Sequence, residues 1–522
     1  MTSGAQHLLT GLRDAGIEFL FTNPGTTEIY FVAALGREAA PRPILTLSEA
    51  VAAGAADGFA RMTGKPAAIL VHLGPGLANA IASLHNAKRA HSPVVVIVGD
   101  HSPAVAIQDP PLASDIEALA KTFSKAVLHA TRDQHPRHTA ALAGYLALED
   151  VPGIVTLIVP SDISWSDFGP VSPLAKPPSP TATLPPSTLA RAKGALDSTA
   201  GTTVIVGGNL LTSDPNETLW RLMSRANLRT WANTFPARID RGGTRPPIHR
   251  LPYLPEMAMA VLEDTRHIIV IGASPPVPFF AYPHLPDRLI PAGCDVLTVT
   301  SSPLEARRSA EALIAEWVPP PESDKNPPSG KEPSPGDLAE PLNTTNFAST
   351  VAALLPPEAI VVDESNTLGV GLEEATLTGP AHTWLPALTG GAIGHGLGLA
   401  IGAALAAPDR QVLAFVADGS SLYSPQAIWT HAAEQLKIIT VILVNRGYGI
   451  LRFELDRLGP EAPSQAAERL LSFDNPPIHH AQLAGAFAVP ATTVRTAVGF
   501  NEALTQALQS GGPYLIVAEF PT

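Results

Sequence analysis

Three short runs, PVVVIVGD (93–100), QVLAFVADGS (411–420) and IITVILVNRG (438–447), stay apolar over four or more consecutive residues, and each stops at Asp or Asn beside Gly or Arg-Gly. A strand with one face in water alternates apolar and polar residues; a continuous run has both faces covered, as in a parallel sheet flanked by helices. Helix-like segments alternate with such runs. IEFLFT (17–22) reads as a strand and TTEIYFVAALG as a helix; SEAVAAGAADGFARMTG is a second helix, with Ser48 placed to cap it and Gly64 to stop it. AAILVHLG (67–74) is a buried strand and GLANAIASLHNAKRA a helix. The fold class that follows is α/β.

Two proline-rich stretches divide the chain. PLAKPPSPTATLPPS (173–187) precedes a second set of buried strands, TVIVGGNL (203–210) and HIIVIGAS (267–274); PPPESDKNPPSGKEPSPGD (319–337) precedes a third set that begins with AIVVDES and ends with PYLIVAEF. Three doubly wound parallel-sheet domains are expected, at 1–172, 188–318 and 341–522, with 319–340 as linker. The 522 residues fit about three domains. With 45% hydrophobic and 16% charged residues the chain can build cores, and a net charge of −13 gives no support to nucleic-acid binding. The single cysteine, Cys294, excludes an intramolecular disulfide and suits a reducing compartment. The first residues carry Asp14 and Glu18 with no long apolar run, and no stretch reaches the roughly 20 apolar residues of a membrane span. A cytoplasmic protein with no membrane and no nucleic-acid partner is expected.

The chemistry sits at the strand ends. Asp418 ends one buried run and Asn445 the next, with SPQAIWTHAAEQ as the crossover helix between them. In parallel sheets ligands bind beyond the carboxyl ends of strands. Two side-chain oxygens there, with a backbone carbonyl near Gly447, suit Mg²⁺, which completes its octahedron with water and substrate phosphates. Gly419-Ser420-Ser421, ahead of the crossover helix, offers backbone N–H groups to a phosphate. Asp-Gly and Asn-Arg-Gly are each common turns when taken singly; paired at consecutive strand ends they point to a metal.

These residues resemble the diphosphate motif of the thiamine diphosphate (ThDP) enzymes of the acetolactate synthase, benzoylformate decarboxylase and pyruvate decarboxylase group. That motif, Gly-Asp-Gly then Asn-Asn, is met here as Ala417-Asp418-Gly419-Ser420 and Val444-Asn445-Arg446-Gly447, with Ala417 and Val444 as departures. The resemblance implies Asp418, Asn445 and Gly447 as metal ligands and Gly419, Ser420, Tyr448, Gly449 and Ile450 around the cofactor. In GGAIGHGLGLAIGAAL, Ile393 resembles the bulky residue that wedges ThDP into its bent shape. LTLSEAVAAGAADGFARMTGKPA is similar to the pyrimidine-domain signature, making Glu49 the carboxylate that hydrogen-bonds the aminopyrimidine and promotes loss of the thiazolium C2 proton. An isolated Glu at a helix start would merely complement the helix dipole.

NPGTTEIYFVAAL (23–35), HLGPGLANAI (72–81) and AHSPVVVIVGD (90–100) extend the likeness, closest to benzoylformate decarboxylase and acetolactate synthase large-subunit-like proteins. They imply Gly25 and Asn79 at the cofactor, His72 as a catalytic histidine and Thr26 in place of a substrate-binding serine. His284, in FFAYPHLPDR, is near the place of a second catalytic histidine. Leu451 and Ile450 are expected to face substrate, while His101, Gln108, Asp109, His395 and Tyr448 are open to pocket or packing roles. The first domain would bind the pyrimidine, the third the diphosphate, and the sites would lie between subunits of a homodimer or homotetramer. The middle domain has no G-x-G-x-x-G, so FAD is not expected. The expected activity is ThDP- and Mg²⁺-dependent decarboxylation of a 2-oxo acid, releasing an aldehyde or joining the fragment to an aldehyde or ketone acceptor as a 2-hydroxyketone. An acetolactate synthase condensing two pyruvates and a catalytically silent ThDP-binding regulatory or scaffold subunit stay open.

Overall fold

Three separate sheets, parallel except for one edge strand of the third, organise the chain. The computed structural model describes residues 2–36, 40–177, 184–198, 201–212, 216–315, 317, 340–459 and 463–521, so most of the 319–340 linker and part of 173–187 lie outside the described residues. The first sheet has six strands, in the order Arg42–Leu45, Phe19–Thr22, Ala67–His72, Val94–Asp100, Ile154–Pro160 and Ala126–His129. The middle sheet has four, Leu228–Ala232, Thr202–Val206, His267–Ile271 and Asp295–Thr300. The third has seven: Ile239–Arg241, His382–Pro386, Ile360–Glu364, Val412–Ala417, Ile438–Val444, Tyr514–Glu519 and Ala491–Val494.

The runs that read as continuous apolar segments are the central strands: every residue of Ile438–Val444 is buried, and so are Val94–Val98. The edge strands are the ones hydrophobicity does not reveal. Ile239–Arg241 leaves the middle segment and pairs antiparallel with His382–Pro386, Ile239 opposite Trp384, so the third sheet borrows an edge from outside its own segment. Arg241 is fully buried against Glu373 and over the Trp384 ring, and burial pushes its guanidinium down to about 10.

The first and third domains meet along two helices, Glu49–Thr63 and Gly396–Ala406. Their composition explains the contact: a Cβ on Gly402 would fall on the Ala55 carbonyl oxygen, one on Gly58 on the Leu399 carbonyl oxygen, and one on Gly54 would stand 3.1 Å from the Gly398 Cα. Backbones this close exchange dispersion contacts along their length. Gly64 stops the first helix at φ +68, as the sequence indicates; Ser48 holds the N-cap position but its hydroxyl makes no capping hydrogen bond. Among the described residues no helix is long and apolar enough to cross a membrane.

Two buried histidines give the fold an acid-labile element. His431 bonds the Leu397 carbonyl at 3.1 Å and His382 the Pro380 carbonyl at 2.8 Å, and burial pushes each imidazole down to about 4 from the ordinary 6.5. Between pH 6.5 and 4 the unfolded chain binds protons that the folded chain refuses, so folded-state stability falls with pH in that window, by up to ~3 kcal/mol per histidine. Chemical denaturation of the apoprotein across this range is expected to show the loss, and His431→Gln to make it shallower. An equal loss in the variant would remove His431 from the explanation.

Candidate active site

Three neighbouring strands of the first sheet bring their carboxyl ends together. Phe19–Thr22 leads to Asn23 and Gly25, Arg42–Leu45 to Glu49, and Ala67–His72 to His72. Glu49 opens its helix 7% exposed and accepts hydrogen bonds from the side-chain amides of Asn23 and Asn79, both at 3.2 Å. Among the described residues no cation pairs with it. The two amide donors fix the direction in which the carboxylate points.

His72 belongs to a polar cluster that the sequence reading only partly includes. Its Nδ1 lies 2.9 Å from Thr27 Oγ1 and 3.1 Å from Glu28 Oε2. Glu28 is fully buried, accepts the Gly25 N–H at 2.7 Å and takes a short hydrogen bond from the Thr27 hydroxyl. A carboxylate on Nδ1 fixes the ring and leaves Nε2 free of hydrogen bonds to the described residues. Thr26 is exposed, and Thr27 is the hydroxyl that meets His72. Glu28 lies in the quoted NPGTTEIYFVAAL segment, but an acidic residue before an apolar helix reads as a surface charge. Gly25 is required by this packing, since a Cβ there would overlap the His72 ring.

The second set of residues stands at the carboxyl end of the third sheet. Asp418 is 2% exposed; its Oδ1 accepts the Gly419 N–H at 2.8 Å and its Oδ2 those of Asn445 and Arg446 at 3.1 and 2.7 Å. Burial pushes the Asp418 carboxyl up, opposed by these N–H groups, and no cationic side chain pairs with it among the described residues. A buried carboxylate without a counter-charge fits a cation beside it. No group of three or more His, Cys, Asp or Glu is placed to hold a metal ion among the described residues, so further oxygens would come from Asn445 and the Gly447 backbone. Arg446 adopts φ +56 while its guanidinium pairs with Glu519 at 2.9 Å. Ala417 and Val444 are ladder residues opposite Leu443 and Glu519, so these departures alter packing positions and leave the donor-bearing residues in place. Ser420 Oγ accepts from Asn366 at 3.2 Å, the Tyr448 ring packs on Phe473, and Gly449 has room for no Cβ beside Asn445 and Thr367.

The loop bearing Ile393 is gripped from several sides. Glu364, at the end of Ile360–Glu364, accepts the N–H groups of Gly394 and, at 2.6 Å, Gly396. Burial pushes Glu364 up to about 7 against the pull of those N–H groups. Asn86 of the first domain clamps Gly390 N–H, Ala392 N–H and the Ala392 carbonyl. His395 lines no pocket: it is 1% exposed, with Nε2 at 2.7 Å from Asp57. The sequence shows Glu364 only as part of a strand, because nothing marks the loop it will meet.

Within one chain these sets do not converge. Asp57 lies eight residues beyond Glu49 on their common helix, about 12 Å along its axis, and Asn86 lies seven beyond Asn79, about 10 Å. The Ile393 loop therefore meets the first domain about 10–12 Å away from Glu49, roughly half the length of the helix Glu49–Thr63. Ile450 and Leu451 are partly exposed on the helix Gly449–Asp456, where Tyr282 from the middle segment bonds Glu454 at 3.0 Å. Phe279 packs on Gly391, so this aromatic segment borders both the loop and the helix. His284 is exposed, 6.3 Å from the Tyr282 ring, and no hydrogen bond joins it to His72 in the chain. Gln108 and Asp109 are exposed, and His101 Nε2 is buried without a partner. A cavity of about 880 Å³ lies between the first and middle sheets, lined by Lys88, Arg89, Gly208, Tyr253 and Gly272; it touches the Ile393 loop through Gly390 and the neighbouring Phe279 and is not lined by Glu49, His72 or Asp418.

Residues 2–109 match the N-terminal, and residues 370–518 the C-terminal, TPP-binding domain of thiamine pyrophosphate enzymes. A Mycobacterium tuberculosis protein named "Putative acetolactate synthase large subunit IlvX" is 42% identical over 100% of this chain and 99% of its own. Benzoylformate decarboxylase of Pseudomonas aeruginosa is 30% identical over 98% of this chain and 97% of its own. The structure of a thiamine diphosphate-dependent 4-hydroxybenzoylformate decarboxylase from Rhodococcus jostii RHA1 superposes over 100% of both chains with a TM-score of 0.84 at 27% identity.

The tight fit of Gly25 to His72 gives a direct test. Gly25→Ala is expected to displace the ring and lower the melting temperature by several degrees, as overpacking costs about 1–3 kcal/mol. Gly169→Ala, where a Cβ meets nothing within 4 Å, is expected to melt as the wild type does. Equal melting of all three proteins would mean that the His72 cluster is looser than described.

Proposed function

Because the chain belongs to the thiamine pyrophosphate enzymes, with both cofactor-binding domains of that family, we propose that it decarboxylates an aromatic or bulky apolar 2-oxo acid with ThDP and Mg²⁺. One observation carries this reading. Two buried carboxylates, Glu49 and Asp418, stand at the carboxyl ends of two different parallel sheets and are held by neutral N–H donors. One is suited to exchange a proton and the other to hold a divalent cation.

Bound ThDP supplies an acidic carbon and an electron sink for the electrons left when CO₂ departs. The chain's own residues do the rest. Asp418, Asn445 and the Gly447 carbonyl hold Mg²⁺, while Gly419 and Ser420 present N–H and hydroxyl groups to the diphosphate. Glu49, steadied by Asn23 and Asn79, exchanges a proton with the aminopyrimidine. His72 offers Nε2 for proton transfer at the substrate, its ring fixed through Nδ1 by Glu28 and Thr27. Phe279, Phe280, Ile450 and Leu451 leave apolar surface exposed beside the Ile393 loop, which suits an aromatic ring better than a methyl group.

The separation of Glu49 from the Ile393 loop within one chain supports a site completed by a second copy. In that arrangement the first domain of one chain faces the third domain of its partner, and a homodimer is the smallest functional unit. His284 would then reach the site from the chain that supplies Asp418. A second reading, condensation of two pyruvates to acetolactate, is favoured by the name of the 42% identical relative.

Product analysis separates the readings. Purified protein with ThDP and Mg²⁺ is offered benzoylformate and pyruvate in parallel. Benzaldehyde and CO₂ are expected, with Glu49→Gln lowering turnover by at least about a hundredfold, as loss of acid–base catalysis does. Acetolactate from pyruvate would replace the decarboxylase by the synthase. Bound ThDP with neither product, and an unaffected Glu49→Gln variant, would favour a non-catalytic subunit.

A further inference from the structure

A chain of buried polar side chains crosses the contact between the first and third domains. Asp57 has no exposure; Arg61 donates to both of its oxygens, with Nε–Oδ1 at 2.9 Å, Ser92 donates to Oδ1, and His395 bonds Oδ2 at 2.7 Å. Arg61 continues into the third domain, donating to the Pro386 carbonyl at 2.7 Å and to Thr389 Oγ1 at 2.9 Å. Thr389 in turn donates to the Asn86 carbonyl at 2.8 Å. The first-domain members lie on the helix that begins with Glu49 and on its neighbours; the third-domain members flank the loop that carries Ile393.

Packing alone does not account for an imidazole at 395. Asp57 is a carboxylate: burial opposes its charge, yet the Arg61 guanidinium and the bond from His395 hold it at about 2. His395 must therefore donate through Nε2, and burial pushes its pKa down, so the ring is the neutral tautomer. Its Nδ1 is then a bare acceptor, and it is buried without a partner. A phenyl ring would fill the same space without that cost. What the imidazole adds is the hydrogen bond to the other domain.

We propose that His395 is a positioning residue: through Asp57 it pins the Ile393 loop to the first domain and so sets the height of the surface over which the cofactor bends. One residue, Gly394, separates His395 from Ile393, and the N–H groups on either side of His395 are already fixed to Glu364. Glu364 ties the loop backbone to its own domain and Asn86 ties Gly390 and Ala392 to the first, so the His395 side chain adds a second tie to the first domain on the far side of Ile393. The cofactor part of this inference rests on the function proposed above; the loop part does not.

The test compares three variants in two measurements. Hydrogen exchange at the amides of 390–396 is followed in the apoprotein, and ThDP binding with Mg²⁺ by calorimetry. His395→Phe keeps the ring and loses the bond, and is expected to speed exchange and weaken ThDP binding by about tenfold each, in keeping with the loss of a hydrogen bond to a charged group. His395→Gln can still place an N–H near Asp57 and is expected to restore both. His395→Asn, too short to reach, is expected to behave as the Phe variant and serves in its place if that protein does not fold. Wild-type exchange and binding in His395→Phe, or a Gln variant no better than Asn, would overturn the proposal. If the wild type takes up no ThDP, the cofactor reading fails, and exchange in the apoprotein still decides whether His395 pins the loop.

Discussion

The close crossing of the helices Glu49–Thr63 and Gly396–Ala406 is the constraint on which the rest of the molecule depends. Glycines 54, 58, 398 and 402 let the two backbones meet, and the Asp57–Arg61–His395 cluster fixes their register. Apolar contact between smooth helices tolerates sliding; a buried ion pair with directional partners does not, because any shift leaves a charge unsatisfied. The crossing decides how far Glu49 stands from the Ile393 loop of the same chain. It thereby sets Glu49 about 12 Å along the helix axis from the Asp57–His395 contact.

The carboxylates divide according to their partners. Asp57 and Asp14 meet arginines and act as structural anchors. Glu49, Glu364 and Asp418 meet neutral N–H groups; Glu49 and Asp418 lie within the two matched TPP-binding domains, and Glu364 holds the Ile393 loop of the second. Neutral donors orient a carboxylate without placing a counter-charge beside it, which leaves room for a bound cation or ligand to do so. Glu28 lies between these classes, bound to backbone and hydroxyl on one side and to His72 on the other.

The central strands were legible because continuous burial leaves continuous apolar sequence, as in Val94–Val98 and Ile438–Val444. Asp418 and Asn445 were legible because Gly-flanked oxygen donors end two such runs. The edge strands Arg42–Leu45 and Ile239–Arg241 were not, since one edge and often one face of such a strand carry no apolar signal. Glu28, Glu364 and Asp57 escaped for another reason. Each owes its role to a partner distant in sequence, and in local context a carboxylate near a helix start or strand end resembles a surface charge. His395 was read as a pocket candidate, and only the opposing helix shows that it faces Asp57.

The central claim is that Glu49 of one chain works with Asp418 of another. Mixing tests it directly: the Glu49→Gln and Asp418→Asn chains, each inactive alone, are co-expressed with separate tags and the decarboxylation rate of the mixed dimers is measured. If the half-sites face different chains, half of a random population is mixed and each mixed dimer holds one intact site, so about a quarter of the wild-type rate returns. If Glu49 and Asp418 of the same chain formed the site, no mixed dimer would contain an intact pair and no activity would return.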